Sequence, residues 1–421
     1  MKSTIILGAG ITGLCAGQKR GRTIYEGLSS PGGLCASYYV GSNAKLDIRQ
    51  RYRFEKGGGH WIFGKDNDLL RTIKTLSPVK KYERKASVYF RDQGLYVPYP
   101  LQNHAYVFST KVRNKIRDDM RRPRSQKVPS TLKEWLNCNY GQTLCELFFS
   151  PFHECYTAGL TEKVVAQDLF KNPADRTTIL QGLERRTSPY GYNTTFVYPE
   201  RGLGHLVKKI ADQCDVRYNK KAVRIDIIGQ KIFFQDGSSV AYKKLISTLP
   251  LSEVVKLCGL RRLARPDPHT SVLVFNIGAQ KGPRCPEDHW IYVPGSQSGF
   301  HRVGFYSNVD ASFLPENRRR KDRVSLYVET AFLPGNKPDE SGLATLGRKI
   351  VNELKAWKYI NRTEVLSSTW IDYAYTWRSP GSSWREEAIT YLKNHGIHSI
   401  GRFGAWRFQG ILESMKDGYL S

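Results

Sequence analysis

The sequence predicts an α/β fold, with a discontinuous Rossmann-like domain, a helical domain and an antiparallel sheet domain. Three observations predict it. The N-terminus reads as strand, glycine loop, helix and strand. Residues from about 107 to 186 read as mostly helical, and strand-forming runs broken by turns dominate 193–248, 270–331 and 365–375. A length of 421 residues fits two or three domains, and 40% hydrophobic residues suffice for a sizeable core.

The first element, Ser3–Leu7, is a short run of β-branched and apolar residues, as in a buried strand. Gly8-Ala9-Gly10-Ile11-Thr12-Gly13 follows as a GxGxxG loop, and Leu14–Gly17 opens a short helix. In such a loop Gly8 makes the tight turn, Gly10 lets the backbone approach a pyrophosphate, and Gly13 lets the helix pack on the sheet. The pyrophosphate then rests on the helix N-terminus. Thr23–Tyr25 is the second strand, and Glu26, 18 residues after Gly8, has the reach to bind a ribose diol. Gly32-Gly33, after Pro31, is a second glycine turn that a plain NAD-binding domain does not need. A third cluster, Gly57-Gly58-Gly59, lets backbone lie against a flat ring, with His60 as a candidate polar contact.

Beyond the glycine clusters, Ser87–Tyr89 and Leu95–Val97 form strands around the turn Asp92-Gln93-Gly94, and Pro98 and Pro100 present Tyr99, Gln102 and Asn103 on a loop. The helical stretch carries the densest basic run, from Lys111 to Lys127 and including Arg124, which reads first as a solvated surface. Thr131 to Glu134 fits a capping box, with Trp135 buried behind it. Gly191–Phe196 leads into Tyr198–Gly204, and a helix is expected over 204–213. Val223–Ile228 and Lys231–Phe234 pair around Gly229-Gln230, and Lys243–Thr248 returns to the first domain. Asn317–Arg323 is a second basic run, and a helix covers about 340–357.

Lys and Arg number 65 against 38 Asp and Glu, giving a formal charge of +27 and a pI near 9.7. Such an excess favours anionic partners, including nucleotides, nucleic acid and anionic membrane surfaces. No apolar run approaches the ~18–20 residues of a membrane span. Eight cysteines carry no CxxC pair and no Cys/His cluster, so neither a metal site nor a disulfide framework is expected. The short apolar start of MKSTIILGAG runs straight into the glycine loop, unlike a signal peptide, and a cytoplasmic location is expected.

An acidic residue followed shortly by Pro-Gly-Gly-Leu resembles the flavoprotein group of amine oxidases, protoporphyrinogen oxidase-like enzymes and phytoene desaturases, which implies FAD. Tyr96-Val97-Pro98-Tyr99-Pro100-Leu101-Gln102-Asn103, Asn193–Phe196, Tyr198–Gly202, Gln235–Thr248 and Gly401–Arg407 resemble one branch of it, the eukaryotic-type UDP-galactopyranose mutases. The resemblance keeps its order from Ile5 to Arg407. It implies FAD-binding segments at 1–80, 187–260 and 386–421, sheet-domain segments at 81–104 and 261–385, and a helical domain at 105–186. It also implies a nucleotide-sugar substrate, active reduced FAD with NAD(P)H as a candidate reductant, and sugar ring contraction without net redox change.

Carried over by position, Arg302 clamps the diphosphate and Arg176 is the second clamp. Asn193, Tyr292 and Tyr375 line the diphosphate and sugar side, while Tyr99 and Gln102 form the uridine side. His60 faces the flavin, Gly401, Arg402 and Trp406 close over it, and Val223 offers backbone to the adenine. Phe408 stands where the family has a second diphosphate-contacting tyrosine, so a hydrogen bond worth ~1.5–3 kcal/mol is missing. Ala86 stands where the family has an arginine, and Gln409–Ser421 departs from its polar pattern. Three alternatives stay open: a mutase for another nucleotide sugar, an FAD-dependent oxidase or desaturase, and a non-enzymatic basic binding protein.

Overall fold

The structure is a computed structural model that describes residues 3–19, 21–41, 43, 45–123, 128–167, 175–185, 193–263, 265–316 and 322–421. Arg124 and Lys127 of the first basic run, Gly191 and Tyr192, and 317–321 of the second run lie outside the described residues.

The chain forms the α/β architecture read from its sequence, built on two seven-stranded sheets. In the first, Asp215–Arg217, Arg22–Tyr25, Ser3–Leu7 and Ser239–Ser247 lie side by side and parallel, and Ile397–Ser399 runs parallel to the end of Ser239–Ser247. Lys231–Phe234 and Ala222–Asp226 extend it antiparallel. Ile5, Ile6 and Leu7 are at most 1% exposed, as expected for a parallel strand covered on both faces. Ile6 packs with Leu14, Val207 and Met415 of the helices Ile11–Gly17, Leu203–Ala211 and Ile411–Leu420. Ile5 and Leu7 face Val254 and Leu392, from Leu251–Leu257 and Trp384–Asn394.

The second sheet runs Ile360–Thr376, His269–Lys281, Arg323–Phe332, Arg302–Phe305, Trp290–Tyr292, Ala86–Phe90 and Leu95–Pro98. It is antiparallel except where Trp290–Tyr292 meets Ala86–Phe90. Strand alternation divides its side chains: Val272 and Val274 turn toward the first sheet's core, while Leu273, Phe275 and Ile277 pack under Ile350 and Leu354 of helix Glu340–Ala356. The strand Thr195–Pro199 joins Ile62–Phe63 and Val79–Glu83 in a small three-stranded sheet.

The helical layer contains Thr110–Arg121, Leu132–Leu144, Ser150–Tyr156 and Arg176–Gly182. Gly141 breaks the second of these with φ of +74°, where an added methyl would press within 2.6 Å of Asp119 Cβ. The Asp119 carboxylate accepts the Thr143 amide at 2.7 Å beside that break. Thr131 caps the helix as expected, but the Glu134 carboxylate accepts from the Ser130 amide and hydroxyl, one residue earlier than a capping box requires. Among the described residues no helix is long and apolar enough to cross a membrane.

Candidate active site

A cavity of about 900 Å³ opens where the first sheet, the second sheet and the helical layer meet. Its floor is the glycine loop. Gly8 has φ of +95°, open to glycine alone, and a methyl built on Gly13 would lie 1.9 Å from the Gly8 carbonyl oxygen. A methyl on Gly10 meets nothing within 4 Å, so Gly10 turns its bare backbone to open space. Gly10 carries no capping side chain for the helix Ile11–Gly17, whose start therefore faces the cavity uncovered. Gly32 and Gly33 lie beside Gly10, and the Gly32 amide donates to the Ala9 carbonyl at 2.8 Å. Glu26 accepts from the Ala9 amide at 2.6 Å and the Leu28 amide at 2.9 Å, which pins the loop to the second strand's end.

The opposite wall comes from the second sheet. Tyr292 and Arg302 sit directly across from one another on adjacent antiparallel strands, and Arg302 in turn faces Glu329. The Arg302 Nε and one terminal nitrogen donate to the Glu329 carboxylate, the former at 2.8 Å. The Glu329 side chain is 3% exposed and that of Arg302 22%. Burial alone would lift the Glu329 carboxyl, but Arg302 and His301 outweigh it and hold it below the ordinary carboxylate range. Burial likewise opposes the Arg302 charge, and Glu329 more than restores it.

Aromatic rings fill the space beside this pair. Tyr99 lies 4.7 Å from Tyr292, Tyr156 lies 4.5 Å from Tyr375, and Phe152 meets Tyr292 edge-on at 5.3 Å. The C-terminal segment closes the site. Arg402 donates to the carbonyls of Ala374 and Gln409, both at 2.9 Å, and lies over the rings of Phe408 at 4.3 Å and Tyr375 at 5.4 Å. His60 lines the same cavity. Burial, with Arg402 next, pushes its imidazole down to about 4, so the ring is neutral at neutral pH.

Residues 15–380 match the family of flavin-containing amine oxidoreductases. The chain belongs to that family. Among solved structures it is similar to a reduced UDP-galactopyranose mutase, at 23% identity and a TM-score of 0.86, over 100% of this chain and 94% of that one. It is also similar to a fatty acid isomerase from P. acnes that produces CLA, at 16% identity and 0.63, over 99% and 97%. Putrescine oxidase bound to putrescine follows at 14% and 0.61, over 100% and 97%.

Flavin is the cofactor of this amine oxidoreductase family, and the residues present fit it. Gly8, Gly10, Gly32 and Gly33 leave room for a diphosphate, and Gly59, His60 and Gly401 border space between the sheets that would hold a flat ring system. The cavity volume is at the upper end of ligand pockets, which run to roughly 1,000 Å³. Tyr99, Asn193, Tyr292, Arg302, Tyr375, Arg402 and Phe408 join them on the wall.

Seven expected site residues are not on that wall. Gly13 packs against the Gly8 carbonyl, and Glu26 ties the loop through the Ala9 and Leu28 amides. Gly58 is pressed toward Glu329 and Val274. Gln102 is 2% exposed in the turn Leu101–Asn103, behind the wall. Arg176 starts a helix and donates to the Arg122 carbonyl at 2.8 Å, away from the cavity. Val223 is 49% exposed on its hairpin. Trp406 turns back at φ of +48° into a core with Tyr373 and Trp384, and its indole donates to the Trp377 carbonyl at 3.1 Å.

Sequence reasoning missed Glu329, His301 and Arg84. Arg84 donates to the Asn193 side chain and, at 3.0 Å, to the Tyr99 carbonyl, with its guanidinium 5.3 Å from the Tyr99 ring. An arginine is thus present behind Tyr99, two residues before Ala86. Trp135, expected in the interior, is half-buried and faces the cavity.

Proposed function

We propose that this chain is a flavin-dependent nucleotide-sugar mutase that interconverts UDP-galactopyranose and UDP-galactofuranose. The observation that supports it is the placement of two guanidinium groups, Arg302 and Arg402, on one cavity with Tyr99, Tyr292 and Tyr375. The chemistry supplied by reduced FAD, when bound, is nucleophilic through N5 at the anomeric carbon, with no net redox change. NAD(P)H is the candidate reductant in this reading.

A guanidinium has five N–H donors, and the two given to Glu329 leave others for a diphosphate leaving group. Tyr99 and Tyr292 offer faces to the uracil and sugar, and Arg84 fixes Tyr99 and Asn193 from behind. Neutral His60 adds a hydrogen-bonding group beside the ring site without adding charge. Phe408 packs under Arg402 and has no hydroxyl to offer the phosphates.

One observation favours an amine oxidase instead. Glu329 cancels the charge of Arg302, so the cavity repels a cationic amine less than two bare arginines would. Turnover of UDP-galactofuranose by dithionite-reduced protein, resolved by chromatography beside an oxidised control, separates the two. Conversion to UDP-galactopyranose only in the reduced sample supports the mutase. No conversion, with oxygen consumed on adding amines, overturns it.

A further inference from the structure

A second cavity, of about 670 Å³, lies on the far side of the hairpin formed by Ser37–Val40 and Tyr52–Glu55. Strand alternation makes it. Tyr52 and Phe54 point into the core, which leaves Arg51 and Arg53, with Ser37 and Tyr39 from the paired strand, on the opposite face. Helix Leu203–Ala211 supplies the facing wall through His205 and Lys208, and Ser29, Ser30 and Ser312 close the ends.

The lining is cationic, with six Lys and Arg against three acids. Some of these charges are already engaged: Arg49 pairs with Asp47 at 3.1 Å, and Lys208 with Asp212 at 2.8 Å. Others are not. Lys56 and Arg201 make no ion pair among the described residues. Arg53, 2% exposed, forms the floor: it stacks over Phe313 at 4.2 Å, donates to the Tyr198 hydroxyl at 3.3 Å and has its charge offset by the buried Glu55 carboxylate, while its Nε has no hydrogen-bond partner among the described residues. Burial, then the cations Arg201 and Lys209, push His205 down, a sign of the positive field over this wall. At the mouth, Tyr39 is 41% and Ile48 54% exposed, large apolar faces beside the cations.

We propose that this cavity is a second binding site, separate from the flavin cavity, for a nucleoside phosphate. Its phosphates lie against Lys56, Arg201 and the hydroxyls of Ser29 and Ser30 above the Arg53 floor, and its base rests on Tyr39 and Ile48. The volume suits a ligand of that size. Lys56 lines both cavities, so a diagnostic substitution must avoid it.

Titration calorimetry of the FAD-loaded protein with ADP at low salt tests the proposal. ADP is expected to bind, to bind at least tenfold more weakly to Arg201→Glu, and to bind Arg302→Ala within twofold of the unsubstituted protein. A tenfold loss corresponds to about 1.4 kcal/mol. Inorganic pyrophosphate is expected to bind at least tenfold more weakly than ADP. No ADP binding, or binding that falls with Arg302→Ala and not with Arg201→Glu, would overturn the site. Equal affinity for pyrophosphate and ADP would overturn its assignment to a nucleoside phosphate. Arg201 lies in an exposed turn before the helix, so its substitution leaves the fold intact, and flavin content checks that in each sample.

Discussion

Replacing Glu329 by Gln leaves Arg302 in place and removes the charge that offsets it. Removing one partner of a fully buried pair costs about 3–5 kcal/mol. Here the Arg302 side chain is 22% exposed at the cavity, so water recovers part of that, and the glutamine oxygen still accepts one hydrogen bond. The expected loss is about 2 kcal/mol at pH 7, allowing for solvent screening. The pH dependence has a definite sign. Glu329 is held below the ordinary carboxylate value, so its contribution is complete above an unfolded pKa of about 4.3 and disappears as pH falls through the folded value. Urea unfolding of both proteins, repeated at pH 7, 5 and 3.5, measures the difference, and effects common to both cancel. The gap should be widest at pH 7 and should narrow below about pH 4.3. A difference under about 0.5 kcal/mol at pH 7, or one unchanged in acid, would refute a buried Arg302–Glu329 pair.

Three further outcomes are expected. Arg302→Ala should keep bound flavin, read from its absorbance, while turnover falls about a hundredfold, the scale of a lost charged hydrogen bond of roughly 3 kcal/mol. Gly10→Val and Gly13→Ala should part company: Gly10 has φ of −69° and open space around its added methyl, so its variant should melt normally without flavin yet retain little. Gly13→Ala, with a methyl 1.9 Å from a carbonyl oxygen, should not yield soluble folded protein on expression. His60, His153 and His289 are each lowered to about 4, chiefly by burial, so stability should be full above pH 6.5 and fall as pH drops toward 4. A urea midpoint that stays level from pH 7 to 4.5 would contradict this, and His153→Phe should flatten the decline.

Much of the fold was legible because its signals are local. Ser3–Leu7, the glycine loop and Arg22–Tyr25 announce themselves by composition and turn chemistry, and the hairpin at Gly94 forms with φ of +60° where Asp92-Gln93-Gly94 marked a turn. The site was legible where a residue lies on a glycine loop or on a strand whose neighbour also carries a site residue, as with Tyr292 and Arg302. Pairing between distant strands was not. Glu329 is the lone acid in an otherwise apolar and hydroxylic stretch from Val324 to Phe332, a signal that marks it as partnered but does not name Arg302, 27 residues away. The position of Arg176 is not legible because a helix start and an active-site loop look alike in sequence, nor that of Trp406, because a left-handed turn, which its residue type does not advertise, sends the indole inward.

The first sheet also constrains the order in which the molecule can be completed. Ser3–Leu7 finds its inner neighbour only when Ser239–Ser247 exists, and the helix Ile11–Gly17 is covered by Ile411–Leu420, where the Gly418 backbone comes so close to Thr12 that a methyl there would stand 2.4 Å from its carbonyl oxygen. During synthesis at roughly 5–20 residues per second, the glycine loop therefore waits tens of seconds for its last covering element. Until Ser239–Ser247 emerges a nascent chain presents an apolar strand with one open edge, and until Ile411–Leu420 emerges a half-covered helix. Substitutions in the helix Ile411–Leu420 should lower the yield of folded protein even though most of its residues lie off the cavity wall.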